Sequence, residues 1–307
     1  QIGSTNMTVI NTNTAATLTA NALTKNERAM SQTMERLSTG QRINSASDDA
    51  AGLAISSRMT SQVNGLNMAV RNANDAISMV QTADGAAVEV GNMLQRMREL
   101  AVQSASGTVT ATDRDALNVE FEALTAEIER VADNTQWNGT NILDGTVGSN
   151  GQVDFQIGAN ASQTIRVTFA DFETAHASAV STGGLFEGLD NNVVNAGTVG
   201  NNSHDLASRD VDTAANAQTA ITQIDFAITH LNNHRATLGS TINRLEYAAD
   251  NLANVSQNTS ASRSRILDAD YASETTELAR TQIIQQAGTA MLSQANQAAQ
   301  SVLALLK

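Results

Sequence analysis

His230 and His234 stand four residues apart in a segment with helical periodicity, a spacing that sets two imidazoles on one helix face and supplies half of a metal site. The residues between them are Leu-Asn-Asn, so the glutamate base of a His-Glu-x-x-His hydrolase is missing. The pair therefore reads as surface or groove histidines, and no metal is expected. The chain has no Cys, which removes thiol nucleophiles, thiolate metal ligands and disulfides. No Ser-His-Asp order, Walker loop or dinucleotide fingerprint stands out, and the acidic residues scatter along helix faces where solvation is the default. These residues point to a protein that is not an enzyme and that uses no cofactor.

The charge excludes further classes. A net charge of -13 with a pI near 4.6 opposes binding to a phosphate backbone, so nucleic acid is not an expected partner. No apolar run approaches membrane-spanning length, and membrane insertion is not expected. The first residues carry neither a basic region nor a hydrophobic stretch of signal-peptide type, so export would use a route without a cleaved leader.

The elements that hold these side chains are long helices. A chain of 307 residues with no Pro tolerates long runs in which every amide must donate. Met59, Val63, Leu66, Val70, Ala73, Ile77 and Val80 alternate steps of four and three, and Ala87, Leu94, Met97 and Ala101 continue the stripe. Ser47 reads as the cap of this helix, with Asp48 and Asp49 in its first turn. Leu117, Phe121, Leu124, Ile128 and Val131 mark a second helix, capped near Thr112 and Asp113, that should fold back on the first. Ala217 to Leu252 form a third stripe, interrupted at Arg235. Three stripes predict an antiparallel bundle with one core. Between the second and third, Val153, Phe155 and Ile157 and then Ile165, Val167 and Phe169 alternate with polar residues, a small β-hairpin. Residues 171–211 read as a short solvent-exposed insertion.

The two ends are helical but poor in large apolar residues. Val9, Ile10, Leu18 and Leu23 on one arm, and Ile283, Ile284, Met291 and Leu292 on the other, are spread among Ala, Thr, Asn and Gln. The last residues reverse that trend with Val302, Leu303, Leu305 and Leu306. Burying four such side chains is worth roughly 6 to 12 kcal/mol before costs. The gain requires another chain to supply the covering surface. These twelve residues are therefore the expected subunit-assembly residues, and the arms should order when packed by copies of themselves.

Several long stretches carry a family signature. "ERLSTGQRINSASDDAAGLAISSRM" (35–59), "MLQRMRELAVQSASGT" (93–108), "SASRSRILDADYASETTELARTQIIQQAGTAMLSQANQ" (260–297) and the closing "VLALLK" resemble bacterial flagellin. The resemblance implies a mainly α protein of minimal type, whose N- and C-terminal helices pair as an inner coiled-coil layer of a filament. It assigns residues 1–44 with 269–307 to that layer, and 45–170 with 212–268 to a helical rod bearing the hairpin. It implies self-polymerisation into an extracellular flagellar filament for swimming. A secretion chaperone, a filament cap and hook-filament junction proteins are the implied partners. By the same resemblance Arg96, Leu100 and Glu120 match positions that bind a host Toll-like receptor. A hook-filament junction protein and a flagellin-like cell-surface binding protein are the alternatives.

Overall fold

The computed structural model describes residues 13–149, 151–172 and 210–304, with side chains through residue 297. Its elements in chain order are α1 (Thr14–Thr39), α2 (Ala50–Ser104), α3 (Ala111–Asn134), β1 (Gln136–Trp137), β2 (Thr140–Asn141), β3 (Gln152–Gln156), β4 (Thr164–Thr168), α4 (Ala214–Leu267) and α5 (Tyr271–Ala304). The protein is mainly α, with two small antiparallel strand pairs among the described residues. Its contacts form two units, residues 64–256 and residues 1–63 with 257–307.

Within residues 64–256 the core is a three-helix seam. On α2 the seam runs through Leu66, Ala69, Ala73, Ala76, Val80, Ala83, Ala87, Val90, Leu94, Met97 and Ala101, an unbroken alternation of threes and fours, with Met79 and Leu100 buried beside it. Val70 and Ile77, which the spacing of large residues put at the centre of this stripe, lie on its flank, half-buried. Alanines hold the centre because a small side chain lets neighbouring backbones approach. On α4 the same alternation runs through Ala217, Ala220, Ile224, Ala227, Leu231, Leu238 and Leu245. The position between Leu231 and Leu238 belongs to His234, not to Arg235. The Arg235 guanidinium turns aside and donates from Nε to Asp84 on α2 at 2.8 Å. Phe121, Ile128 and Ala132 of α3 close the core from the third side.

Helix ends are set by short polar side chains. The cap of α2 is Asp49, whose carboxylate accepts from the Gly52 amide at 2.9 Å, two residues beyond the Ser47 expected from sequence. Asp48 instead accepts from the Ser45 and Asn44 amides and from Gln32 Nε2, which together hold its carboxyl below the usual range. The cap of α3 is Thr110, not Thr112. Its hydroxyl accepts from the Asp113 amide while Asp113 accepts from the Thr110 amide, a reciprocal capping box. Replacing Thr110 with Ala should destabilise the protein by about 1 kcal/mol in urea unfolding. An unchanged midpoint would show that the box contributes nothing. Upstream, Arg114 donates to the carbonyls of Ser104 and Ser106 and so closes the end of α2.

β3 and β4 pair with Val153 opposite Val167 and Phe155 opposite Ile165, the hairpin expected from the alternation. A second hairpin, β1–β2, is the tight turn Gln-Trp-Asn-Gly-Thr-Asn. Asn138 (φ 50°) and Gly139 (φ 78°) occupy the left-handed region that a two-residue turn of this twist requires.

Candidate assembly surface

The unit built from both ends of the chain centres on α1 and α5, which pair antiparallel. Side-chain bonds along their length fix their alignment. Asn13 Nδ2 donates to the Ala295 carbonyl (3.1 Å), Asn26 Nδ2 donates to the Thr281 carbonyl (2.8 Å), and Arg36 pairs with Glu274 (3.4 Å). The seam follows a heptad on each helix through Ala16, Thr19, Leu23, Asn26, Met30, Thr33 and Leu37 on α1, and Leu278, Thr281, Gln285, Gly288, Leu292 and Ala295 on α5. Leu23, Met30, Leu37, Leu278 and Leu292 supply its apolar contacts, and the remaining positions are small or polar where a stable coiled coil would carry leucine. At Gly288 the helices come so close that an added Cβ would stand 3.0 Å from Leu23 Cδ1. Asn26 is buried and satisfied by two partners, the Thr281 carbonyl and Gln285 Oε1 at 3.2 Å.

Other large apolar side chains point outward. Leu18 is 73 % exposed, Ile283 66 %, Met291 60 % and Ile284 41 %. Ile284 and Met291 are one heptad apart on the same flank of α5, and the heptad positions facing that flank on α1 are Ala15, Ala22 and Ala29. The result is an apolar strip left uncovered beside a seam that is only partly apolar, whereas an isolated two-helix protein would turn its larger apolar residues into the seam.

The structure divides the expected assembly residues into three groups. Leu18, Ile283, Ile284 and Met291 face outward. Leu23 and Leu292 instead sit half-buried in the α1–α5 seam, because the heptad phase that seats Asn26 and Thr281 also turns them inward. Val9, Ile10, Leu305 and Leu306 lie outside the described residues, as do the side chains of Val302 and Leu303 and nearly all of the 171–211 insertion. The seam residues Asn26, Thr33, Thr281 and Gln285 escape a search for hydrophobic periodicity, but their spacing of threes and fours among alanines was the available signal.

At the ends of this pair the chain is pinned by backbone contacts. The Arg42 amide donates to the Leu267 carbonyl (2.7 Å), the Ala269 amide to the Gly40 carbonyl (3.0 Å), and Arg42 Nη2 to the Ile266 carbonyl (2.8 Å). The segment entering α2 and the segment leaving α4 are therefore held side by side. Ile43 is buried there, packed against the open face of Gly52.

The other candidate residues lie in the unit of residues 64–256. Arg96 on α2 donates from Nε to Glu120 on α3 at 2.9 Å and from Nη1 to Glu99 at 2.9 Å. Those carboxylates, Glu120 foremost, raise the guanidinium further above its ordinary value. Leu100 does not share this exposed strip. It is 1 % exposed and belongs to the core, one turn past Arg96 but rotated inward with Met97 and Ala101. The two histidines also separate. His230 is exposed, whereas His234 Nε2 accepts from the Ala170 amide at 3.3 Å, with its ring edge-on to Phe172 at 6.1 Å. Burial pushes the His234 imidazole down to about 4, against a smaller opposing pull from Asp84.

The chain is similar to known proteins along most of its length. Residues 10–147 match the bacterial flagellin N-terminal helical region, and residues 221–306 match the bacterial flagellin C-terminal helical region. A flagellin from Halalkalibacterium halodurans is 45% identical over 89% of this chain and 90% of its own length. One from Bacillus subtilis is 42% identical over 97% of this chain and 99% of its own. Among solved structures, a flagellar hook-associated protein from Vibrio parahaemolyticus aligns with a TM-score of 0.53 over 72% of this chain and 100% of that one; at 12% identity it shares the fold alone.

Proposed function

Since this chain belongs to the bacterial flagellin family, we propose that it is a structural subunit that polymerises into the flagellar filament through the outward faces of α1 and α5. The observation that carries the role of these faces is the division of apolar residues in the α1–α5 pair. Leu18, Ile283, Ile284 and Met291 are exposed while Asn26, Thr33, Thr281 and Gln285 take seam positions beside the leucines. A heterologous contact between such faces whose rotation does not close adds subunits without limit and gives an open helical polymer. The chain works outside the cell as part of the flagellum, in a mechanical rather than a catalytic role.

The test is direct. Purified protein should form filaments visible by electron microscopy and sediment as polymer. The Ile284→Asp protein should remain unpolymerised with its circular dichroism unchanged, because a charge on that strip is desolvated only when a neighbour covers it. Normal polymerisation of Ile284→Asp would remove the strip from the interface. Capture at filament ends without elongation would favour a junction protein instead.

The remaining partners follow from the same reading: a chaperone and an export route before assembly, and cap and hook-filament junction proteins at the two filament ends. A Toll-like receptor of a host would meet the exposed Arg96–Glu120 pair, with Leu100 supporting the helix from beneath. Arg96→Ala should weaken activation of that receptor in reporter cells and leave the melting temperature unchanged, since an exposed pair adds little to stability. Unaltered activation would remove Arg96 from the contact.

A further inference from the structure

With no Cys in the chain, its readily oxidised sulfur is methionine, and the structure sorts the methionines sharply. Met97 is fully buried and Met79 nearly so in the core of residues 64–256. Met291 and Met34, by contrast, are 60 % and 54 % exposed on α5 and α1. Met291 shares its flank with Ile284, on the strip where a neighbouring subunit is proposed to pack. Met34 flanks the seam on the opposite side.

We propose that Met291, together with Met34, is an oxidation site through which a peroxide controls polymerisation of the unassembled chain; this rests on the filament reading above. In the reaction the thioether sulfur attacks one oxygen of hydrogen peroxide, the O–O bond breaks, a sulfoxide S–O bond forms and water leaves. Sulfur loses two electrons and the peroxide gains them. The product replaces a flexible apolar tip with a strong dipole. Burying that dipole against Ile284 and a neighbour's apolar surface costs what any unpartnered polar group costs, enough to raise the critical concentration for polymerisation about tenfold or more. Once subunits cover the strip, peroxide no longer reaches Met291. The control therefore acts before assembly.

The full-length dissociated chain is treated with hydrogen peroxide, each methionine is followed by peptide mass spectrometry, and polymer yield is read by sedimentation. Met291 and Met34 should oxidise well ahead of Met79 and Met97, and polymer yield should fall as Met291 converts. Met291→Leu with Met34→Leu keeps the apolar volume and should polymerise equally well before and after treatment. Met68→Leu removes an exposed methionine from the other unit and should give no protection. The proposal is overturned if Met291 reacts no faster than Met97, or if the double leucine variant loses polymer as the unsubstituted chain does. Failure of the untreated chain to polymerise would remove the filament reading and this control with it. Normal polymerisation with Met291 fully oxidised would overturn the control alone.

Discussion

As the pH falls from 6.5 to about 4, the unit of residues 64–256 should lose up to about 3 kcal/mol of stability through His234 alone. The imidazole occupies a seam position of α4, and its Nε2 must be unprotonated to accept from the Ala170 amide. In the folded protein it therefore resists protonation down to about 4, whereas in the unfolded chain it takes up a proton near 6.5. The unfolded state binds more protons across that window, so stability is full above 6.5, declines through it and levels off below about 4. A gap of about 2.5 pH units at about 1.4 kcal/mol each sets the ceiling. Urea unfolding at a series of pH values checks this. His234→Gln keeps an acceptor for Ala170 without a titrating proton and should show a flatter profile over the window. Carboxylates held by partners, such as Asp113 by Thr110 and Asp154 by Arg166, lose their stabilisation at lower pH in both proteins and cancel in the comparison. Parallel profiles for the two proteins would sink the assignment.

Phe121→Ala should cost about 3 to 5 kcal/mol. Phe121 is fully buried on α3 and packs into the cluster that joins α2, α3, α4 and both hairpins, so its loss opens a cavity that rigid helices cannot collapse around. That cost is a large share of the stability of an ordinary domain, about 5 to 15 kcal/mol. Two residues away Val119 is 68 % exposed, and Val119→Ala should change stability by no more than about 0.5 kcal/mol. Similar unfolding midpoints for the two variants would contradict the position of the core.

Much of this architecture is legible in the amino acids, and the places where it is not have identifiable causes. The α2 and α4 stripes are plain because apolar residues recur with helical period. Their exact centre is not, because Ala69 and Ala76 attract no notice beside Val70 and Ile77, yet alanine is what permits close helix approach. The reading of Arg235 as a seam residue fails for a related reason. Helix phase is uncertain by one residue, and only the reach of Arg235 to Asp84 shows that His234 takes the inward place. The β1–β2 hairpin could have been found, since Asn138-Gly139 is a strong two-residue turn signal. The α1–α5 pairing is different in kind. It rests on Asn26 meeting Thr281, residues 255 apart, and no local pattern connects them. Of the assembly residues, the outward set was recognisable as large aliphatics without local partners, whereas the inward turn of Leu23 and Leu292 depends on the phase of a seam in which they alternate with Asn26 and Thr281.

The bonds from Asn26 to Gln285 and from Arg36 to Glu274 have one last consequence. Sliding α5 by a heptad along α1 would put Leu278 or Leu292 where Gln285 stands and part Arg36 from Glu274, so the shifted pair loses polar partners that the present register supplies. The pair thus behaves as a vernier with a single permitted notch. Every molecule leaves its folding route with the same studs at the same heights, the uniformity that bricks must have before a tall column can stay true.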